Sequence, residues 1–202
     1  DPSNSHWKEY RRELNCLYVL MRKEFIQEIE IPEGIECKYE DKTLICKKGE
    51  TESKRKIDIP RTKIKVSEGK IIFLSDLANK NERKTIMSFL AHLRNIFRGI
   101  EEKFVYRLES ANVHFPMTVK VEGNKLIINN FLGEKISRKA DILPNVKVEI
   151  KGHEITVSSS DKEAAGQTAG NFEKATKVKG RDLRIFQDGV YIVKKPGDKE
   201  RA

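Results

Sequence analysis

Histidine and cysteine are scarce in this chain, with four of one and three of the other among 202 residues. His6, His92, His114 and His153 are scattered, and none stands with carboxylates at the spacing of a metal site or a catalytic base. Cys16, Cys37 and Cys46 lack zinc-ligand spacing, and an odd number argues against a disulfide framework; a reduced, cytoplasmic setting is expected. There is no Walker-type glycine loop and no nucleophile elbow. No apolar run approaches the roughly 18 residues that span a bilayer. Asn15 to Met21 is only mildly apolar and is followed by Arg22 and Lys23, which is not a signal-peptide pattern. These absences point away from an enzyme, a metal or other cofactor, a small-molecule substrate and a membrane partner.

Charge is what the chain has in quantity. Its formal net charge is +9, with 35% of residues charged, which implies a polyanionic partner. Charge alone leaves nucleic acid and an acidic surface equally open.

The order of prolines and glycines is more specific. Pro32, Gly49 and Pro60 recur as Pro116, Gly133 and Pro144, at an offset of 84. Glu50 recurs as Glu134, and Ile64, Val66, Ile71 and Phe73 fall on Val148, Ile150, Ile155 and Val157. Proline and glycine fix backbone geometry, so repeating them in register repeats a fold. The expected architecture is α+β, a tandem repeat of two similar small domains, each an antiparallel sheet packed against one helix. The expected divisions are a 1–22 extension, a first domain over 23–111, a second over 112–195 and a basic tail over 196–202. In the extension, Trp7, Tyr10, Leu14, Leu17, Tyr18 and Met21 recur at helical spacing. It reads either as an extension or as residues preceding a natural start at Met21.

Alternating runs predict strands at 28–31, 35–39, 44–47, 54–59, 63–66, 70–74 and 104–109. In the second copy they fall at 118–121, 126–130, 136–142, 146–150, 154–157 and 190–193. Glu68-Gly69, Gly123-Asn124 and Gly152-His153 read as hairpin turns. Asn79 and Glu82 form a capping-box start for a first helix with Ile86, Phe89, Leu90, Leu93 and Phe97 on its apolar stripe and Gly99 at its end. Ser160 and Glu163 are expected to cap a second. That helix is slim, with Ala164, Ala165, Gly166, Ala169 and Gly170 where the first is bulky. Close packing inside the domain or close approach to a partner backbone would each explain it.

Basic residues concentrate at the end of the second copy. From Lys174 to Ala202 nine basic side chains stand against four acidic ones, a net of +5. Phe172, Phe186 and Tyr191 are interleaved. One reading is a strand over 190–193 that closes the sheet while the loop from Lys177 to Arg184 meets RNA. Arginine adds bidentate geometry toward phosphate, and Gly180 would let backbone N–H groups approach it. A second set, Lys135, Arg138 and Lys139, follows the turn at 131–134, and its first-copy counterpart is Lys47, Lys48, Lys54, Arg55 and Lys56. A solvated strand face explains either of these sets as well as binding does.

Three stretches go further: His114-Phe115-Pro116-Met117, Asn130-Phe131-Leu132-Gly133-Glu134-Lys135, and Lys179-Gly180-Arg181-Asp182 through Phe186-Gln187-Asp188-Gly189-Val190-Tyr191. With Asp161-Lys162-Glu163 and Gly166-Gln167-Thr168 between them, the chain resembles the large ribosomal subunit protein six family in its archaeal and eukaryotic form. The resemblance covers roughly Met21 to Lys195 and is most specific in the second domain. It implies a structural, ribosome-bound protein whose partners are large-subunit rRNA and neighbouring large-subunit proteins. The site it implies lies near the sarcin–ricin loop and the stalk base, where translation factors dock. Lys174, Lys177, Lys179, Arg181 and Arg184 would be the principal rRNA contacts and Lys194 and Lys195 secondary ones, with the first domain less engaged. An RNA-modifying enzyme and a basic adaptor built from tandem domains are the alternatives.

Overall fold

A computed structural model describes residues 23–49, 51–59, 62–67 and 69–198; the helix expected in the 1–22 segment lies outside these residues. The chain forms two compact units that divide between Phe97 and Arg98.

The first unit holds β1 (Lys23–Glu30), β2 (Glu36–Glu40), β3 (Thr43–Lys48), β4 (Thr51–Lys56), β5 (Lys63–Ser67), β6 (Lys70–Ala78) and most of helix α1 (Lys80–Glu101). The second holds β7 (Phe104–Ala111), β8 (Thr118–Glu122), β9 (Lys125–Asn129), a 3-10 turn at Phe131–Gly133, β10 (Arg138–Asp141), β11 (Lys147–Lys151), β12 (Glu154–Ser159), helix α2 (Lys162–Ala175) and β13 (Gly189–Lys194).

The duplication is visible in the strand pairing. Each copy divides its strands between two antiparallel sheets rather than gathering them in one. The first copy has β5-β6-β1 and β2-β3-β4, and the second has β11-β12-β7-β13 and β8-β9-β10. Position for position these are the same two sheets, with β13 added at the edge of the second copy. Strand β7, read in the sequence as the end of the first copy, pairs with β12 and β13 inside the second. Its alternation marks it as a strand, but only pairing with residues more than 40 positions away decides which sheet it joins.

The three expected hairpin turns are present, each with its glycine at positive φ. The start of α1 also follows the sequence reading: Glu82 Oε2 accepts the Asn79 N–H at 2.7 Å, and Asn79 Oδ1 accepts from Lys80 N. Its apolar stripe is buried at Ile86, Leu90, Leu93 and Phe97. The helix does not stop at Gly99, which lies two residues inside its end. A Cβ there would collide with the Ser160 carbonyl oxygen, so glycine is required by close backbone packing and not by termination. The cap of α2 is Asp161 and not Ser160: Asp161 Oδ1 accepts from Glu163 N at 2.9 Å.

Helix α2 lies across both sheets of the second copy, and Ala165, Ala169 and Phe172 enter a core with Leu108, Leu126, Ile128, Phe131, Ile155, Val157 and Val190. Its two glycines differ. A Cβ on Gly166 would meet the Tyr106 hydroxyl at 2.9 Å, whereas one on Gly170 would meet nothing within 4 Å. Close packing inside the domain therefore explains Gly166 alone.

Candidate nucleic-acid interface

The loop between α2 and β13 contains four of the five principal predicted contacts, and its conformation is fixed at both ends. At its start, Thr176 is buried, its hydroxyl oxygen accepts from Val190 N at 2.9 Å, and the hydroxyl reaches back to the Phe172 and Glu173 carbonyls. Val178 enters the core while Lys177 and Lys179 on either side stay exposed. Gly180 takes φ +68°. Asp182 then closes a turn, with its Oδ1 accepting from Arg184 N at 2.9 Å and its carbonyl from Phe186 N at 2.9 Å.

At the far end Asp188 is buried and accepts from Val113 N at 2.6 Å and from His114 N at 3.3 Å, with the His114 ring 3.4 Å away. Burial by itself pushes the Asp188 carboxyl up. The N–H groups of Val113 and His114 and the His114 ring outweigh it and hold the carboxyl below the usual range. The His114 ring stacks on Phe186 with centroids 4.9 Å apart, and the Arg181 guanidinium stands over Phe186 at 4.8 Å. Histidine, phenylalanine and arginine thus form one stack, which holds the Arg181 fork at the surface.

Arg138, predicted as an RNA contact, is used inside the protein instead. Its Nε and Nη2 donate to the two Glu134 carboxylate oxygens at 2.8 and 2.6 Å, and its Nη1 donates to the carbonyls of Ala175 and Lys177 at 2.9 and 3.2 Å. The guanidinium also lies 4.2 Å from the Phe131 ring centroid. Every nitrogen of the group is occupied, and a cation at the carboxyl end of α2 also suits the helix dipole. The Arg138 hydrogen bonds, together with the charges of Arg138 and Arg181, hold the Glu134 carboxyl below its ordinary value despite partial desolvation.

Three segments far apart in the chain therefore meet at one end of the second unit. Asn130 Nδ2 donates to the Pro116 carbonyl at 3.0 Å, and Gly133 lies against the Phe115 ring. The 113–117 stretch is tied to Asp188, and the 131–138 stretch to the start of the basic loop. Lys174 in the last turn of α2, Lys177, Lys179, Arg181 and Arg184 are all exposed there, as are Lys135 and Lys139. Among the described residues, none of these seven has an acidic side chain within salt-bridge distance. The supporting residues Glu134, His114, Phe186 and Asp188 were not predicted as part of the site. The Glu134–Arg138 spacing was the one available signal.

Lys194 and Lys195 lie elsewhere. Strand β13 runs antiparallel to β7, so Gly189 pairs with Ala111 whereas Lys194 pairs with Arg107. Those two positions of β7 are about 13 Å apart at strand rise. Lys194 and Lys195 instead line a groove of about 610 Å³ with Arg98, Lys103, Arg107 and Lys162, along with Glu101 and Glu102. Sequence reading missed these four partners because they come from α1, the turn after it, β7 and α2, with no local clustering.

Two members of the first-copy basic set, Lys47 and Lys54, share one acid, and Lys42 outside that set has another. Lys47 and Lys54 reach Glu52 at 3.4 and 3.1 Å, and Lys42 reaches Asp58 at 2.9 Å. Among the described residues no helix is long and apolar enough to cross a membrane.

A family model described as Ribosomal protein L6 matches residues 115–189, which span the three converging segments. A large ribosomal subunit protein uL6 from Methanococcus vannielii is 43% identical over 171 residues, 85% of this chain and 94% of that protein. The protein of the same name from Methanosarcina mazei is 43% identical over 175 residues, 87% of this chain and 99% of its own length. These relatives are ribosomal proteins, and the enzyme reading has no support among them. With that identity over most of its length, the chain belongs to the uL6 family of large ribosomal subunit proteins.

Proposed function

We propose that the second domain docks on large-subunit rRNA through Lys174, Lys177, Lys179, Arg181 and Arg184, with Lys135 and Lys139 beside them, near the sarcin–ricin loop and the stalk base. The observation that carries this reading is the convergence of three segments on one loop whose four basic side chains, with Lys174 just before it, face solvent while Asp188 is buried and Phe186 is partly covered. Exposed cations on a fixed backbone neutralise phosphates and release counterions at little further ordering cost. Arg138 positions the loop and does not touch RNA. Lys194 and Lys195, with the groove around them, form an accessory contact at the other end of the domain. Leu183 and Ile185, each 60% exposed between the basic residues, suit contact with a neighbouring large-subunit protein. The site is reached in the cytoplasm as the subunit assembles.

A photocrosslinker placed at Lys179 or Arg184 in assembled large subunits tests the location. Adducts should map to the sarcin–ricin loop or the stalk base; adducts confined to distant rRNA would reject that placement.

A further inference from the structure

We propose that Cys37 and Cys46 form a dithiol site that low-molecular-weight disulfides oxidise to a reversible cross-strand bridge in the first domain. The two residues are directly opposite in the β2–β3 ladder, and their sulfurs are 2.7 Å apart. The hairpin turns through Asp41 and Lys42, both at positive φ, so Glu40 and Thr43 are its closing hydrogen-bonded pair. Counting back from that pair, Cys37 and Cys46 occupy a non-hydrogen-bonded position. Their Cα atoms there approach to about 4.5 Å, within the range a disulfide spans.

The two thiols have different surroundings. Cys46 is on the central strand and 1% exposed, whereas Cys37 is on the outer strand and only half-buried. The hydrogen bond from Cys46 holds the Cys37 thiol below its usual range, while the same bond and burial push Cys46 up. Cys37 is therefore the attacking thiol and Cys46 the resolving one.

The co-reactant is a small disulfide of the glutathione type. The Cys37 thiolate attacks one of its sulfurs, forming a mixed disulfide and expelling one small thiolate, which takes up a proton. Cys46 then gives its proton to solvent and attacks the Cys37 sulfur, forming the Cys37–Cys46 bond and expelling the second small thiolate. The protein loses two electrons and two protons, and the small disulfide gains them as two thiols. Excess small thiol drives the same steps backward.

The test uses the full chain with Cys16→Ser, leaving these two thiols. The protein is incubated with oxidised glutathione, alkylated and digested with trypsin, which cuts after Lys38 and Lys42 and so separates the two cysteines. The expected result is a linked peptide pair joining Cys37 to Cys46, with two glutathione molecules released per chain and full reversal by dithiothreitol. Adding Cys46→Ser should arrest the reaction at a stable glutathione adduct on Cys37, and adding Cys37→Ser should slow it at least tenfold. Should either variant fail to fold, the linked peptide in the parent chain decides by itself. Both thiols remaining alkylatable, or a parent chain that stops at the Cys37 adduct, would overturn the proposal.

Discussion

Among single side chains, Arg138 has the widest influence on the interface although it faces inward. It joins Glu134 to the two carbonyls where the basic loop leaves α2. Arg138→Ala should destabilise the second domain by about 2 kcal/mol, since hydrogen bonds to charged groups are worth about 1.5–3 kcal/mol and this group is partly exposed. Lysine cannot reproduce the fork, so Arg138→Lys should recover little of the loss. RNA affinity should fall in both variants with nearly unchanged salt dependence, because no phosphate contact is removed. A slope that fell by a full unit would make Arg138 a direct contact. Asp188 answers to pH. Its folded carboxyl titrates below its unfolded one, so the unfolded state binds more protons and stability rises with pH across that window. The contribution is complete above the ordinary aspartate value of about 3.9 and is lost as pH falls through the folded value. Asp188→Asn should lower the melting temperature at pH 7 and flatten its decline between about pH 5 and pH 2. An unchanged acid limb would mean that Asp188 does not couple the loop to folding.

At the scale of elements, local chemistry was readable and contacts between elements were not. The capping box of α1 lies within four residues, and each hairpin glycine sits beside its own turn, so both were legible from sequence. The role of Gly99 was not, because it depends on Ser160, 61 positions away. Nor could α2 be resolved from composition, since Gly166 and Gly170 look alike until Tyr106 is placed beside one of them. Gly166→Leu should cost about 1–3 kcal/mol by overpacking. Gly170→Ala should raise stability by up to about 1 kcal/mol through helix propensity. Thermal melts of the two variants check both, and equal losses would mean that α2 packs equally tightly along its length. For the basic loop, the cations were legible as a local excess of charge. Its clamp was hidden because Glu134, Arg138, His114 and Asp188 come from segments that only the fold brings together. The ties of Arg138 were hidden for the same reason: in sequence, a guanidinium held by neighbouring groups and a free one look alike.

For the whole molecule, the repeat accounts for the architecture and its departures account for the function. Both copies carry the same pair of sheets, and the second adds β13 together with the loop that leads into it. In the first copy Lys42, Lys47 and Lys54 are set against Asp58 and Glu52, whereas the second leaves a row of cations facing solvent. A duplicated fold has thus become an asymmetric molecule with its charge excess at one end of the chain. The most direct measurement is the salt dependence of large-subunit rRNA binding by the full chain, compared with a variant carrying alanine at Lys177, Lys179, Arg181 and Arg184. All four side chains are exposed and Arg181 also packs on Phe186, so the variant should melt close to the parent. The slope of log affinity against log salt should become shallower by about 3, in keeping with the loss of four phosphate contacts, and affinity should drop at least tenfold. A folded variant with the parent's affinity and slope would contradict the account.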